Sequence, residues 1–226
     1  MSAGRKIAEI NAQARAVMKQ ERGIPLRDRV ISRPTLAGAL GAPVPRLANL
    51  GLRSRVARRL MERTLGIHRF APLPKYASQT LRRWLRRRSP SQGERTVTYF
   101  HGCAANYYEV ETGRMAIEVV EHNGYRVLTP TQGCCGLPLQ SNGLFDDARR
   151  YVRRLVAALA PTVSDGRAIV ATSTSCGLML KREAREILGV QDDDLELVDK
   201  HTFDVCEFLL DLHECGSFVP ASGRSS

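Results

Sequence analysis

From residue 96 onward the sequence alternates between short β-branched or aromatic runs and longer stretches of helical period. "TVTYF" (96–100), "YRVLT" (125–129) and "AIVAT" (168–172) read as strands. Helical patterns run from about Glu109 to His122, stopped at Gly124, and from about Asp146 to Leu159, ended by Pro161. "GLMLKREAREIL" (177–188) reads as a third helix and "LELV" (195–198) as a short fourth strand. Thr202 stands where it could cap a last helix, "FDVCEFLLDLH". Strands alternating with helices of this length predict an α/β fold, a parallel sheet with right-handed crossovers and flanking helices.

That topology decides where the cysteines go. Cys103 follows the first predicted strand, Cys134 and Cys135 the second, and Cys176 the third. In a parallel sheet these strand ends share the carboxyl edge, where open α/β sheets place their sites. Four thiols distant in sequence are therefore expected to meet. Neighbouring residues fit disulfide geometry poorly, so Cys134 and Cys135 are expected to face a partner supplied from outside the chain. Four thiolates suit zinc or an iron–sulfur cluster. The gaps of 30, none and 40 residues do not make a zinc ribbon, whose knuckles separate ligands by two to four. Gly102, Gly133, Gly136 and Gly177 stand beside the four cysteines and would let backbone approach a bulky inorganic core. One cysteine after a strand is ordinarily a small buried hydrophobe. Four at successive strand ends, each with a glycine, favour the metal site. Cys206, on an apolar helical side with Phe203, Leu209 and Leu210, is expected in the core, and Cys215 in a tail without a role. His101 is a candidate extra ligand or proton donor, against the alternative of a solvated loop histidine.

Charge divides the chain in two. Residues 1–95 hold 22 Lys+Arg against 5 Asp+Glu (+17), and residues 96–226 hold 12 against 18 (−6). The reading is a basic helical N-terminal region, 1–95, before a cysteine-rich domain, 96–226, with "SPSQG" (89–93) as linker. In the basic part, residues 5–20 predict a helix with Ile7, Ile10, Ala14 and Val17 on one side. Residues 24–45 break into turns or short pieces, and residues 47–65 regain a helical period. In "QTLRRWLRRR", Leu81, Trp84 and Leu85 recur at helical spacing among arginines. Such a helix suits an anionic membrane surface; packing across the α/β domain competes with that reading but is compatible with it, and nucleic acid is the runner-up for the charge, with no module to support it. No apolar run approaches the roughly 18 residues of a membrane span, and no signal peptide is visible. Six cysteines without an export signal predict a reducing, cytoplasmic compartment.

The stretches "FHGCAANYY", "GCCGLPLQSNG" and "ATSTSCGLMLKRE" resemble the CCG cysteine-rich module. That module occurs in the B subunit of heterodisulfide reductase, in the iron–sulfur subunits of glycolate and lactate oxidation systems, and in the C subunit of anaerobic glycerol-3-phosphate dehydrogenase. "LPKYASQTLRRWLRR" (73–87) also resembles the segment that precedes the module in the last branch. The resemblance implies an electron-transfer subunit rather than a complete enzyme. It would pass electrons from flavin-containing dehydrogenase subunits towards membrane quinone, peripherally on the cytoplasmic face of the inner membrane. It implies a cluster of [4Fe-4S] type on Cys103, Cys134, Cys135 and Cys176, and no catalytic acid or base. The fullest motif of the family ends in two cysteines separated by two residues. Here the second position is Met179, which disfavours a five-thiolate cluster. The ferredoxin-like part and second CCG module usual in the family are not present in this sequence. Two other readings stand beside this one: a thiol/disulfide redox enzyme using Cys134 and Cys135, and an assembly module without a cluster.

Overall fold

The structure is a computed structural model that describes residues 3–89 and 92–220. The predicted linker residues Pro90 and Ser91 lie outside the described residues. Four strands, β1 (Arg95–Phe100), β2 (Tyr125–Leu128), β3 (Ile169–Ala171) and β4 (Thr202–Asp204), form one sheet in the order β2-β1-β3-β4. Every pairing is parallel. Arg95–Thr98 lie opposite Tyr125–Leu128, Thr98–Phe100 opposite Ile169–Ala171, and Ile169–Ala171 opposite Thr202–Asp204. This is the α/β fold with flanking helices that the alternation predicts.

Among the described residues six helices precede the sheet: α1 (Ala3–Arg22), α2 (Leu26–Ile31), α3 (Pro34–Gly41), α4 (Pro45–Arg53), α5 (Arg55–Leu65) and α6 (Leu81–Leu85). The β1–β2 crossover holds α7 (Ala104–Tyr107) and α8 (Val110–His122). The β2–β3 crossover holds α9 (Leu137–Ser141) and α10 (Phe145–Leu159). The β3–β4 crossover holds α11 (Thr174–Leu178), a π-helical turn (Met179–Glu183), α12 (Ala184–Glu186) and α13 (Asp193–His201). Helix α14 (Val205–Glu214) follows β4. Alternate strand residues serve opposite layers. Phe100, Ile169 and Ala171 pack with Leu155, Leu159, Leu180 and Leu195, whereas Val97, Tyr99 and Val170 pack with residues of α8 and α14.

Several elements depart from the sequence expectation. "LELV" is not a strand. Leu195 and Val198 are buried at helical spacing in α13, whose start is capped by the Asp192 carboxylate accepting the Asp194 N–H at 2.9 Å. The fourth strand is instead Thr202–Asp204. Asp204, not Thr202, caps α14, with Glu207 returning the bond to the Asp204 N–H. The helix over 177–188 starts earlier and passes through the π turn. The helix over 47–65 divides at Ser54, which caps α5. In α1, Ile7, Ile10 and Val17 are exposed. That helix docks through its other side, where Arg15 donates to the Ser141 carbonyl at 2.7 Å, Lys19 bonds the Asn142 carbonyl, and the Gly143 backbone approaches Ala16 too closely for any side chain.

The basic segment is bound to the sheet domain at α6. Leu81 is fully buried against Tyr99, Ala105, Val110 and Ile117, with Trp84 and Leu85 packed at its edge. The Arg88 and Arg114 guanidiniums lie over the Trp84 ring, 4.7 and 5.1 Å from its centroid. The apolar side of this helix thus faces the protein and not a membrane, because its three apolar residues complete the layer that α8 and β1 leave open. Further back, Gly38 and Gly41 of α3 make room for the rings of Tyr107 and Tyr76. Asn49 and Tyr76 exchange bonds, Nδ2 to carbonyl and N–H to Oδ1, both at 2.9 Å.

Leu81→Ala is expected to destabilise the whole chain by about 2–5 kcal/mol, the range for truncating a buried leucine. A single cooperative urea transition, shifted to lower denaturant, is the expected observation. An unshifted main transition would show that α6 contributes nothing to the sheet domain.

Candidate metal centre

The parallel register brings the tips of β1, β2 and β3 to one edge, and each tip leads into a turn that carries cysteine. After β1 the chain runs through His101 and Gly102, whose φ of +57° turns it sharply, to Cys103 at the start of α7. After β2 the loop ends in Cys134, Cys135 and Gly136. After β3, Cys176 sits in the first turn of α11, its N–H donating to the Ser173 carbonyl at 2.9 Å. The Sγ atoms of Cys103 and Cys134 are 3.8 Å apart, and those of Cys135 and Cys176 are 3.3 Å apart. All four expected thiols therefore come together. Cys134, Cys135 and Cys176 are buried, and Cys103 is half-exposed.

Gly136 is required twice over. Its φ of +85° is a left-handed conformation, and a Cβ there would stand 3.0 Å from the Ala148 carbonyl oxygen. Its N–H lies 3.5 Å from the Cys134 sulfur. Hydrogen bonding from Cys103 holds Cys134 well below the ordinary thiol range, with Cys135 and then the Gly136 N–H adding to the effect against the opposing cost of burial. Cys176 is lowered chiefly by its contact with Cys135. Cys103 and Cys135 are pushed up, first by the same contacts and then by burial.

The turns are joined by a side chain that sequence reasoning passed over. Gln132 Nε2 donates to the Tyr99 carbonyl at 2.9 Å, while its Oε1 accepts the His101 N–H at 2.9 Å and the Gly102 N–H at 3.4 Å. One amide thereby fixes the exit of β1 to the loop that carries Cys134 and Cys135. A glutamine two residues before a double cysteine carries no periodicity, so only a search for partners of the orphan backbone groups at a strand end would find it. Met179 is fully buried in the same apolar cluster as Cys134, Cys135 and Cys176. His101 is not a solvated loop residue. It is 3% exposed, its Nδ1 lies 2.6 Å from the Gly102 carbonyl, and its Nε2 is buried without a partner among the described residues. Burial depresses it to about 4, so the ring is neutral. Cys206 is not core. It is exposed on α14, whose packed side carries Val205, Phe208 and Leu212. Cys215 is exposed at the end of that helix.

The donor set fits an iron–sulfur cluster in chemistry: four free thiols that converge from three strand tips. Gly133 and Gly177 leave open space where side chains would stand, the latter beside Cys176. Among the described residues no three Cys, His, Asp or Glu side chains converge to hold a single metal ion. The sulfurs stand as two touching pairs, so a polynuclear guest would require the three turns to separate.

Comparison with known proteins agrees with this arrangement. Residues 97–181 match the cysteine-rich domain CCG, and all four thiols lie inside the match. The chain carries a domain of the CCG cysteine-rich family. It is 34% identical over 194 residues to the C subunit of the anaerobic glycerol-3-phosphate dehydrogenase of Escherichia coli (strain K12), across 84% of this chain and 49% of that protein. It is 28% identical over 119 residues to "Lactate utilization protein A" of Geobacillus kaustophilus (strain HTA426), across 51% of this chain and 48% of that protein. With the Bacillus subtilis (strain 168) protein of the same name the identity is 27% over 123 residues. The chain spans about half the length of these relatives. No solved structure matches it.

Gln132→Ala should cost about 1–3 kcal/mol, because it leaves a partly buried carbonyl and N–H groups unpaired. Thermal denaturation reads that loss. Alkylation of Cys103 in the native protein should accelerate, since the turn holding it loses its tie to the β2 loop. An unchanged alkylation rate would mean that the glutamine does not hold the site together.

Proposed function

We propose that this chain is an iron–sulfur electron-transfer subunit of a dehydrogenase complex, with Cys103, Cys134, Cys135 and Cys176 as cluster ligands. The observation that carries the reading is the convergence of four free thiols from three strand tips into two contacting pairs at 3.8 and 3.3 Å. A cluster of [4Fe-4S] type suits four thiolates, one for each iron, and Met179 in place of a further cysteine argues against a five-thiolate form. When bound, such a cluster takes up and releases single electrons. The protein's part is to hold the ligands, exclude water from three of them and donate the Gly136 N–H towards sulfur, which tunes the potential. The donor would be flavin-containing dehydrogenase subunits, by likeness to the glycerol-3-phosphate dehydrogenase relative, and the acceptor a membrane quinone.

Contact with an anionic membrane, on the cytoplasmic face, belongs to the same reading, but at a different place from the Trp84 helix. Helices α4 and α5 bury no residue. Leu47, Leu50, Val56 and Leu60 are 61–74% exposed, and Phe70 is 81% exposed. Arg53, Arg55 and Arg59 line a cavity of about 450 Å³ with Phe70. An apolar face flanked by arginines suits the headgroup boundary, where each basic residue adds about 1 kcal/mol. Among the described residues no helix is long and apolar enough to cross a membrane.

A second reading has one observation of its own. The 3.3 Å contact of Cys135 with Cys176 would allow a dithiol/disulfide couple. It pairs Cys135 with a distant cysteine rather than with its neighbour Cys134.

Protein purified without oxygen should contain iron and acid-labile sulfide and give a paramagnetic signal on reduction. Serine at Cys103, Cys134, Cys135 or Cys176 should abolish or alter the cluster, whereas Cys206→Ser and Cys215→Ser should retain it. Metal-free protein with a Cys135–Cys176 disulfide would overturn the cluster reading and establish the second. Separately, replacing Val56 and Leu60 together by Asp should weaken flotation with anionic vesicles by at least about tenfold, since each buried aliphatic side chain contributes about 1.5–3 kcal/mol. Equal flotation of the double variant would remove α5 from the interface.

A further inference from the structure

Behind the Cys103 turn lies a second polar feature that the thiol site does not use. A cavity of about 430 Å³ opens between α3, α6 and α7, and Gln79, Thr80, Arg82, Arg83, Arg86 and Asn106 supply its polar lining. No Asp or Glu lines it. Many arginines elsewhere in the chain are paired, as Arg33 is with Asp147, Arg88 with Glu121 and Arg185 with Asp199. Arg82, Arg83 and Arg86 have no carboxylate partner among the described residues, although Arg82 is half-buried. A half-buried cation without a counter-charge is costly, and the cost is relieved when an anion is supplied.

Asn106 makes the cavity more than a patch of surface arginines. The residue is 3% exposed. Its Oδ1 accepts the Arg82 backbone N–H at 3.1 Å, which fixes the orientation of the amide. The Nδ2 end donates to no acceptor among the described residues. Thr80 accepts the Arg83 N–H at 3.2 Å through its hydroxyl oxygen, which leaves that hydroxyl's own hydrogen free to donate. The lining thus offers three guanidiniums, an amide and a hydroxyl, all as donors. That set matches a tetrahedral oxyanion with several acceptor atoms.

We propose that this cavity is a binding site for a phosphate group, carried by a small soluble phosphate or by a lipid headgroup. The site uses none of the four thiols and stands whether or not they hold a cluster. Carboxylates of a partner protein are the alternative anion, and the absence of any phosphate binding would point to them.

The test uses the full chain and two probes, inorganic phosphate followed by calorimetry and vesicles with or without phosphatidic acid followed by flotation. Binding of the phosphate ion identifies the soluble source; binding confined to phosphatidic acid vesicles identifies the headgroup. In either case Arg82→Gln and Asn106→Asp should each weaken binding by at least about tenfold, the loss of one charge-assisted bond. Asn106→Asp keeps the acceptor for the Arg82 N–H while replacing the Nδ2 donor by a negative charge. Should it unfold, as judged by circular dichroism, Arg86→Gln, at an exposed position, takes its place. Arg153→Gln, an exposed arginine on α10, is the charge control and should leave binding unchanged. Two outcomes overturn the proposal: neither probe binds, or Arg153→Gln weakens binding as much as Arg82→Gln does.

Discussion

The pairing of β1 with two parallel neighbours is the constraint on which the site depends. Because β1 lies between β2 and β3, with Thr98 in register with both Leu128 and Ile169, the three strands end at nearly the same level. The turns that follow are then obliged to share one small region. Cysteines 31 and 41 residues apart in sequence touch there without any local motif to bring them together. A register slip of one residue would turn every strand side chain to the other layer and carry one turn away from the others. The alternation of Phe100, Ile169 and Ala171 against Val97, Tyr99 and Val170 prevents this, since both layers are filled by apolar helices.

The strand ends alone leave polar backbone groups at the edge, and how those are paired decides how rigid the thiols are. Gln132 satisfies the β1 exit, Gly136 turns the β2 loop back into α9, and the Ser173 carbonyl holds Cys176 in the first turn of α11. The helix after Cys176 then widens into a π turn at Met179–Glu183. Such turns recur beside functional sites because they shift side chains off the α-helical period. Here the shift accompanies a fully buried Met179 three residues beyond a ligand candidate.

The positions of three strands and of the four convergent cysteines were legible because β-branched runs and strand-end spacing speak directly to a parallel sheet. The rest failed for identifiable reasons. Thr202–Asp204 is a three-residue edge strand, too short to carry an alternating pattern. "LELV" has the composition of a strand because its helical partners lie beyond that window, and the acidic run Asp192–Asp194 is the local sign that a helix starts there. Cys206 sits among apolar neighbours in sequence, yet the packed side of α14 is carried by Val205, Phe208 and Leu212, which leaves Cys206 outside. The roles of Gln132 and Asn106 had no sequence signature. Both act through single side-chain bonds to backbone far away in the chain.

The basic segment reads differently once its contacts are counted as mechanics rather than charge. Composition changes near residue 95, but packing does not. Leu81 completes a core layer, the Arg82 N–H bonds Asn106, and the Ala77 N–H bonds the Tyr107 carbonyl at 3.0 Å, while the Tyr107 N–H itself bonds the Cys103 carbonyl at 3.2 Å. A run of contacts therefore leads from the arginine-bearing helix through α7 to the one half-exposed thiol. Displacing α6 would disturb the Cys103 turn before it disturbed the other two. Charge in the basic segment and the thiols at the sheet edge are joined at that turn, through hydrogen bonds of the backbone.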